Sequence, residues 1–128
     1  MKKPNVFIAD DEESLRRCLE IYLRREYPSI EVITFKDGDQ LNSALQQYQE
    51  NNTQYTQKKD VVITDYHMPG MCVENIIEKY HQTFYFVLCT SDYARGREIS
   101  ERYDILFIEK PFSLSQIKST LDSFLDDQ

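Results

Sequence analysis

Six residues carry side chains suited to chemistry. Asp10 and Asp11 are adjacent, Asp65 stands before a Met-Pro-Gly stretch, Thr90 and Ser91 form a hydroxyl pair, and Lys110 precedes Pro111. Singly, each has a plain structural role. An Asp pair caps a helix N-terminus well, Asp65 suits a turn, Thr90 and Ser91 suit a strand-to-loop cap, and lysine is ordinarily a surface residue. Together they read differently. Carboxylates gathered at one place repel, so such a cluster usually holds a cation or a raised pKa. Oxygen-only donors with open positions suit Mg²⁺, which keeps waters and takes one or two carboxylates plus a phosphate. A carboxylate can itself accept a phosphoryl group. That transfer depends on positioning and charge neutralisation, which Mg²⁺ and the Lys110 ammonium supply, and the Thr90 hydroxyl suits a phosphoryl oxygen.

Whether these residues meet depends on the elements that carry them. Five short apolar runs recur: Val6 to Ala9, Val32 to Phe35, Val61 to Thr64, Phe84 to Cys89 and Ile105 to Ile108. They are rich in β-branched and aromatic residues and too short for helices. Most are nearly continuous, as in strands covered on both faces. The second, with Glu31 before it and Thr34 inside it, reads as an edge strand. Between the runs lie helical stripes: Leu15, Cys18, Leu19, Tyr22, Leu23; then Leu41, Ala44, Leu45, Tyr48; then Val73, Ile76, Ile77, Tyr80; and finally Leu114, Ile117, Leu121, Phe124. Asp37 and Gln40 mark a helix start, and Ser113 with Gln116 has capping-box spacing. From Asp92 to Arg102 the stripe is thin, with only Tyr93, Ala94 and Ile99 able to pack. Gln46 to Lys59 is polar and reads as a fraying helix end and a loop.

Alternating strands and helices imply parallel strands with right-handed crossovers. The expected fold is therefore α/β, a five-stranded doubly wound sheet with helices on both faces. Asp10 and Asp11 follow the first strand, Asp65 the third, Thr90 and Ser91 the fourth, and Lys110 the fifth. In a parallel sheet these carboxyl ends share one rim, where open α/β sheets bind ligands.

The chain has 128 residues, which fits one domain spanning 1–128. It is 41% hydrophobic and 29% charged, which suits a folded domain rather than a disordered one. A formal net charge of −7 gives no electrostatic footprint for direct nucleic-acid binding or for an anionic membrane. The three cysteines, Cys18, Cys72 and Cys89, form no close pair. With no signal sequence or long apolar stretch, the expected location is the cytoplasm. Cys18 and Cys89 are expected in the core, Cys72 at the surface. His67, Cys72 and His81 match no strong zinc pattern.

The segments Ile8-Ala9-Asp10-Asp11-Glu12, Asp65-Tyr66-His67-Met68-Pro69-Gly70-Met71, Thr90-Ser91 and Lys110-Pro111-Phe112 together resemble the response-regulator receiver domains of two-component signalling, including the single-domain chemotaxis regulators. The order matches, one motif per strand end, and the likeness covers essentially the whole chain. The resemblance implies a flavodoxin-like sheet of order 2-1-3-4-5. It implies Asp65 as phosphoacceptor and Mg²⁺ held directly by Asp11, through water by Asp10, and by Asp65 and the His67 backbone carbonyl. It implies Thr90 and Lys110 as phosphoryl contacts, Phe107 as the aromatic switch and a cis Lys110–Pro111 bond. On spacing alone Phe107 reads more readily as a core residue, and the switch role comes from the resemblance. The implied partners are a sensor histidine kinase or phosphotransfer protein and a downstream protein partner or output domain. Such a chain is a phosphoryl acceptor rather than an enzyme, with at most slow self-dephosphorylation.

Cys72-Val73, where the family often has Asp-Gly, and Tyr103-Asp104, where it often has Gly-Ala, depart from the pattern. Two other readings stay open: a phosphorylation-independent interaction module on the same fold, and a metal-dependent phosphohydrolase with His67 as acid/base. The chain ends at Asp126, Asp127 and Gln128, soon after the last helix. A stand-alone regulator and the front of a longer protein both fit.

Overall fold

The computed structural model describes residues 4–51, 58 and 60–125. Strands and helices alternate throughout: β1 (Asn5–Ala9), α1 (Glu13–Glu26), β2 (Glu31–Phe35), α2 (Gly38–Asn51), β3 (Val61–Asp65), α3 (Val73–Tyr80), β4 (Tyr85–Thr90), α4 (Tyr93–Tyr103), β5 (Leu106–Glu109) and α5 (Leu114–Leu125). The strands form one parallel sheet of order β2-β1-β3-β4-β5, with β2 at an edge as expected.

The continuous apolar runs arise because successive side chains of a strand leave opposite faces, and both faces are covered. Val6 and Ile8 of β1, with Val61 and Ile63 of β3, pack under Leu19 and Leu23 of α1 and Ile117, Leu121 and Leu125 of α5. Phe7 and Ala9, with Val62, Phe86 and Leu88, pack against Leu41 and Leu45 of α2, Val73, Ile76, Ile77 and Tyr80 of α3, and Ile99 of α4. Each fully buried aliphatic contributes about 1.5–3 kcal/mol, and the central strand β3 is buried along its whole length. Among the described residues no helix is long and apolar enough to cross a membrane.

Helix starts follow local chemistry. The Asp37 carboxylate accepts the Gln40 N–H at 2.8 Å. Ser113 and Gln116 form the reciprocal box: Ser113 N–H donates to Gln116 Oε1 at 2.8 Å, and Gln116 N–H to Ser113 Oγ at 3.2 Å. At α4, Asp92 accepts the Arg95 N–H at 3.1 Å.

Several expectations are corrected. Cys18 is exposed: Leu19 and Leu23 fill the seam under α1, and Cys18 lies about 100° round the helix from Leu19. In α4 the buried residues are Gly96 and Ile99, one turn apart, whereas Ala94 and Tyr93 are exposed. Phe84 is buried but precedes β4, because its N–H bonds Tyr80 O and closes the turn after α3. Ile105 likewise stays out of β5. It follows Asp104, whose φ of 55° ends α4, and its N–H returns to Ser100 O. Cys89 is buried and Cys72 exposed, as expected. The polar stretch begins inside α2, which runs to Asn51, and residues 52–57 and 59 lie outside the described residues.

Candidate functional site

Parallel pairing puts every strand's carboxyl end at one rim, and backbone bonds extend the ladder one residue further. Asp10 N–H donates to Phe35 O at 3.1 Å, Tyr66 N–H to Cys89 O at 3.2 Å, and Lys110 N–H to Thr90 O at 2.9 Å. These bonds set the exits of the loops after β1, β3 and β5. Asp65 is the last residue of β3 and Thr90 the last of β4.

The rim gathers the residues of interest. Carboxylate oxygens of Asp10, Asp11 and Asp65 lie within 4.8 Å of one another. Lys110 Nζ donates to Asp10 Oδ2 at 2.9 Å and lies 3.4 Å from Asp65 Oδ1. Asp10 Oδ1 also accepts the Glu12 N–H, and Asp65 Oδ1 the Tyr66 N–H, each at 2.8 Å. Asp10 and Asp65 are buried, whereas Asp11 is exposed and takes no part in these bonds. The Lys110–Pro111 bond is cis, as the resemblance implied.

One ammonium faces three carboxylates, so the cluster carries excess negative charge. Burial pushes the Asp65 carboxyl above its ordinary range. The Asp10 charge adds to burial, and the two together outweigh Lys110 and the Tyr66 N–H, which act the other way. Burial works against a charged Lys110, but the Asp10 hydrogen bond and the charges of Asp10 and Asp65 outweigh it and raise its pKa. The donor set, all oxygen and two members buried, fits a hard divalent cation such as Mg²⁺. Cys89, a core residue paired with Asp65 across β3 and β4, is pushed up to about 12 by burial, and so remains a thiol.

Thr90 is 1% exposed, and its Oγ1 accepts the Asp92 N–H at 3.1 Å, tying it to the start of α4. Phe107 is half-buried on β5, its ring against Gly96 of α4 and edge-on to Tyr93 at 5.8 Å. His67 is exposed in the loop after β3, its ring 4.8 Å from that of Tyr66. Beside Lys110 lies a cleft of about 300 Å³ lined by Glu12, Leu15, Ser91, Pro111 and Phe112.

Two contributors escaped the sequence reading. Arg16 Nη1 donates to the Asp10 carbonyl at 2.8 Å, bracing the first loop from α1. Gly96 supplies the flat seat for Phe107. The Asp10–Arg16 spacing carries no recognisable signal, and a glycine inside a helix signals a close approach without naming its partner.

No family model matches the sequence, and no curated protein matches it. Solved structures match over nearly the full length. The chemotaxis response regulator CheY4 of Vibrio cholerae has a TM-score of 0.69 at 22% identity, covering 96% of this chain and 99% of that one. A response regulator receiver protein from Burkholderia phymatum has 0.72 at 26%, covering 97% and 96%. A DNA-binding response regulator of the LuxR family from Staphylococcus aureus has 0.72 at 22%, covering 94% and 98%. The chain has the fold of the response-regulator receiver domains, the same fold its motifs resemble.

Proposed function

We propose that this receiver-fold chain is a phospho-switch of two-component signalling, taking a phosphoryl group on Asp65 in a Mg²⁺-dependent reaction. The observation that carries the reading is the shared cation: Lys110 reaches both Asp10 and Asp65, with Asp11 completing the acidic set. The donor is a sensor histidine kinase or phosphotransfer protein, and the compartment is the cytoplasm.

Asp10, Asp11 and Asp65, with the His67 carbonyl, are the residues that would hold Mg²⁺. The ion, when bound, neutralises charge on the transferring phosphoryl group. A carboxylate oxygen of Asp65 forms the new P–O bond. The donor's P–N bond breaks, and its electron pair leaves with the imidazole. Lys110, fixed between Asp10 and Asp65, neutralises charge on the phosphoryl oxygens. The apolar cleft beside Lys110 offers the donor's ring a place to sit.

The Thr90 hydroxyl is the second phosphoryl contact. Drawing it inward breaks its bond with the Asp92 N–H, which loosens the start of α4. Phe107 follows into the vacated space, and the face of α4, β5 and α5 changes for a downstream protein partner or output domain. The equilibrium is a two-state one, biased by new charge contacts. The chain is an acceptor rather than an enzyme, with slow self-dephosphorylation at most.

The test is intact mass after incubation with acetyl phosphate and Mg²⁺. Wild type gains one phosphoryl mass, and Asp65→Asn or chelation abolishes the gain. Labelling of Asp65→Asn at the wild-type rate would sink the assignment. No gain and no Mg²⁺ binding would favour a phosphorylation-independent module.

A further inference from the structure

The loop that follows Asp65 and His67 is fastened to the first turn of α2 from both sides. Gly38 N–H donates to Pro69 O at 2.9 Å, and Met71 N–H donates to Asp39 Oδ1 at 3.0 Å. Both glycines are needed for the approach. A Cβ on Gly38 would stand 2.1 Å from Met71 O, and Gly70, at φ 87°, approaches Asp39 so closely that a Cβ would lie 2.9 Å from its Cγ. Three residues before Gly38, Phe35 O accepts the Asp10 N–H. The segment from Phe35 to Asp39 is therefore bonded both to Asp10 and to the loop that follows Asp65.

From this geometry we infer that Asp39 is a positioning residue for the metal and phosphoryl site, the charged pin of a strut that holds the loop after β3 in register with Asp10. The inference rests on the proposed acceptor role of Asp65. Asp39 is exposed and touches no reacting atom. It acts through the backbone of residues 69–71, which continues the loop bearing His67. A carboxylate accepting a backbone N–H makes a charge-assisted bond, stronger than a neutral one. A bond on the loop that presents donors to a cation sets their orientation, as outer partners of metal ligands do.

The test compares wild type, Asp39→Ala and Asp39→Asn, each first shown to be folded by circular dichroism. Asn retains an acceptor at Oδ1, so it is the rescuing variant. Titration with Mg²⁺ alone reads the site, and hydrogen exchange of the amides of residues 66–71 without metal reads the strut. Asp39→Ala is expected to weaken Mg²⁺ binding by about tenfold, the lower end of what outer partners contribute. It should also raise exchange at Met71, with Asp39→Asn, which restores a neutral bond, recovering part of both. A merely structural role would lower overall stability without moving the Mg²⁺ affinity of the folded fraction. Wild-type Mg²⁺ affinity in Asp39→Ala would overturn the inference, as would equal weakening by Ala and Asn. A wild type that binds no Mg²⁺ would overturn the acceptor reading and the strut's role with it. Wild-type binding with an unaffected Ala variant would overturn the strut alone.

Discussion

The ring of Phe107 lies on Gly96 so closely that a Cβ there would stand 2.4 Å from its Cε1. Gly96 and Phe107 thus fit only as a pair, and α4 and β5 are coupled through them. Gly96→Ala adds helix propensity worth about 1 kcal/mol, but overpacking costs about 1–3 kcal/mol. A net loss of roughly 1 kcal/mol is expected in urea unfolding. In a Phe107→Ala background the clash disappears, and Gly96→Ala should stabilise instead. The double-mutant cycle measures the coupling, and an additive cycle would refute it.

Asp65 carries its charge at a cost in the metal-free protein, since burial and Asp10 together raise its pKa. Between the ordinary value of 3.8 and the raised folded value, the native state binds more protons than the unfolded chain. Stability therefore rises as pH falls through that window, and the charged form weakens the fold above it. Asp65→Asn should be more stable than wild type at neutral pH without Mg²⁺, and the advantage should shrink on acidification. Urea midpoints across the range check both, and an Asn variant weaker than wild type at pH 7 would contradict the electrostatic account.

Mg²⁺ should stabilise the fold by mass action. At a hundredfold excess over its dissociation constant the gain is about 2.7 kcal/mol, or about 10 °C in Tm for a domain of this size. Asp11→Ala should lose that shift without lowering the metal-free Tm, because Asp11 is exposed and outside the Lys110 bonds. Calorimetry with and without Mg²⁺ reads both quantities.

Far from the rim, α1 and α5 are joined where Tyr27 Oη donates to the Asp122 carboxylate and the Lys118 carbonyl. The Tyr27 hydrogen bond, aided by Lys118, holds the Asp122 carboxyl below the usual range. Its contribution is present above the ordinary carboxylate pKa and lost as pH falls through the depressed folded value. Tyr27→Phe should be less stable than wild type near neutrality, with the gap closing in strong acid. A gap independent of pH would assign the loss to the Lys118 carbonyl bond alone.

The alternation of strands and helices, the helix stripes and the rim of Asp10, Asp65, Thr90 and Lys110 were legible in one dimension, whereas the strand order came only through the resemblance of the motifs to a known family. Apolar runs and helical spacing are local, and alternation of strand and helix leaves few topologies. The capping box of Ser113 and Gln116 is local for the same reason. Cys18, Ala94, Phe84 and Ile105 were misplaced because one residue of rotation round a helix, or one closing hydrogen bond before a strand, decides the surroundings of each. The choice of residue types at the strand ends was thus written in the sequence. Which carboxylate shares Lys110, how Gly96 seats Phe107 and how Asp39 pins the loop at Met71 were decided only in three dimensions. The partners in these contacts lie 11 to 100 residues apart along the chain, and such pairing depends on packing geometry that no local pattern records.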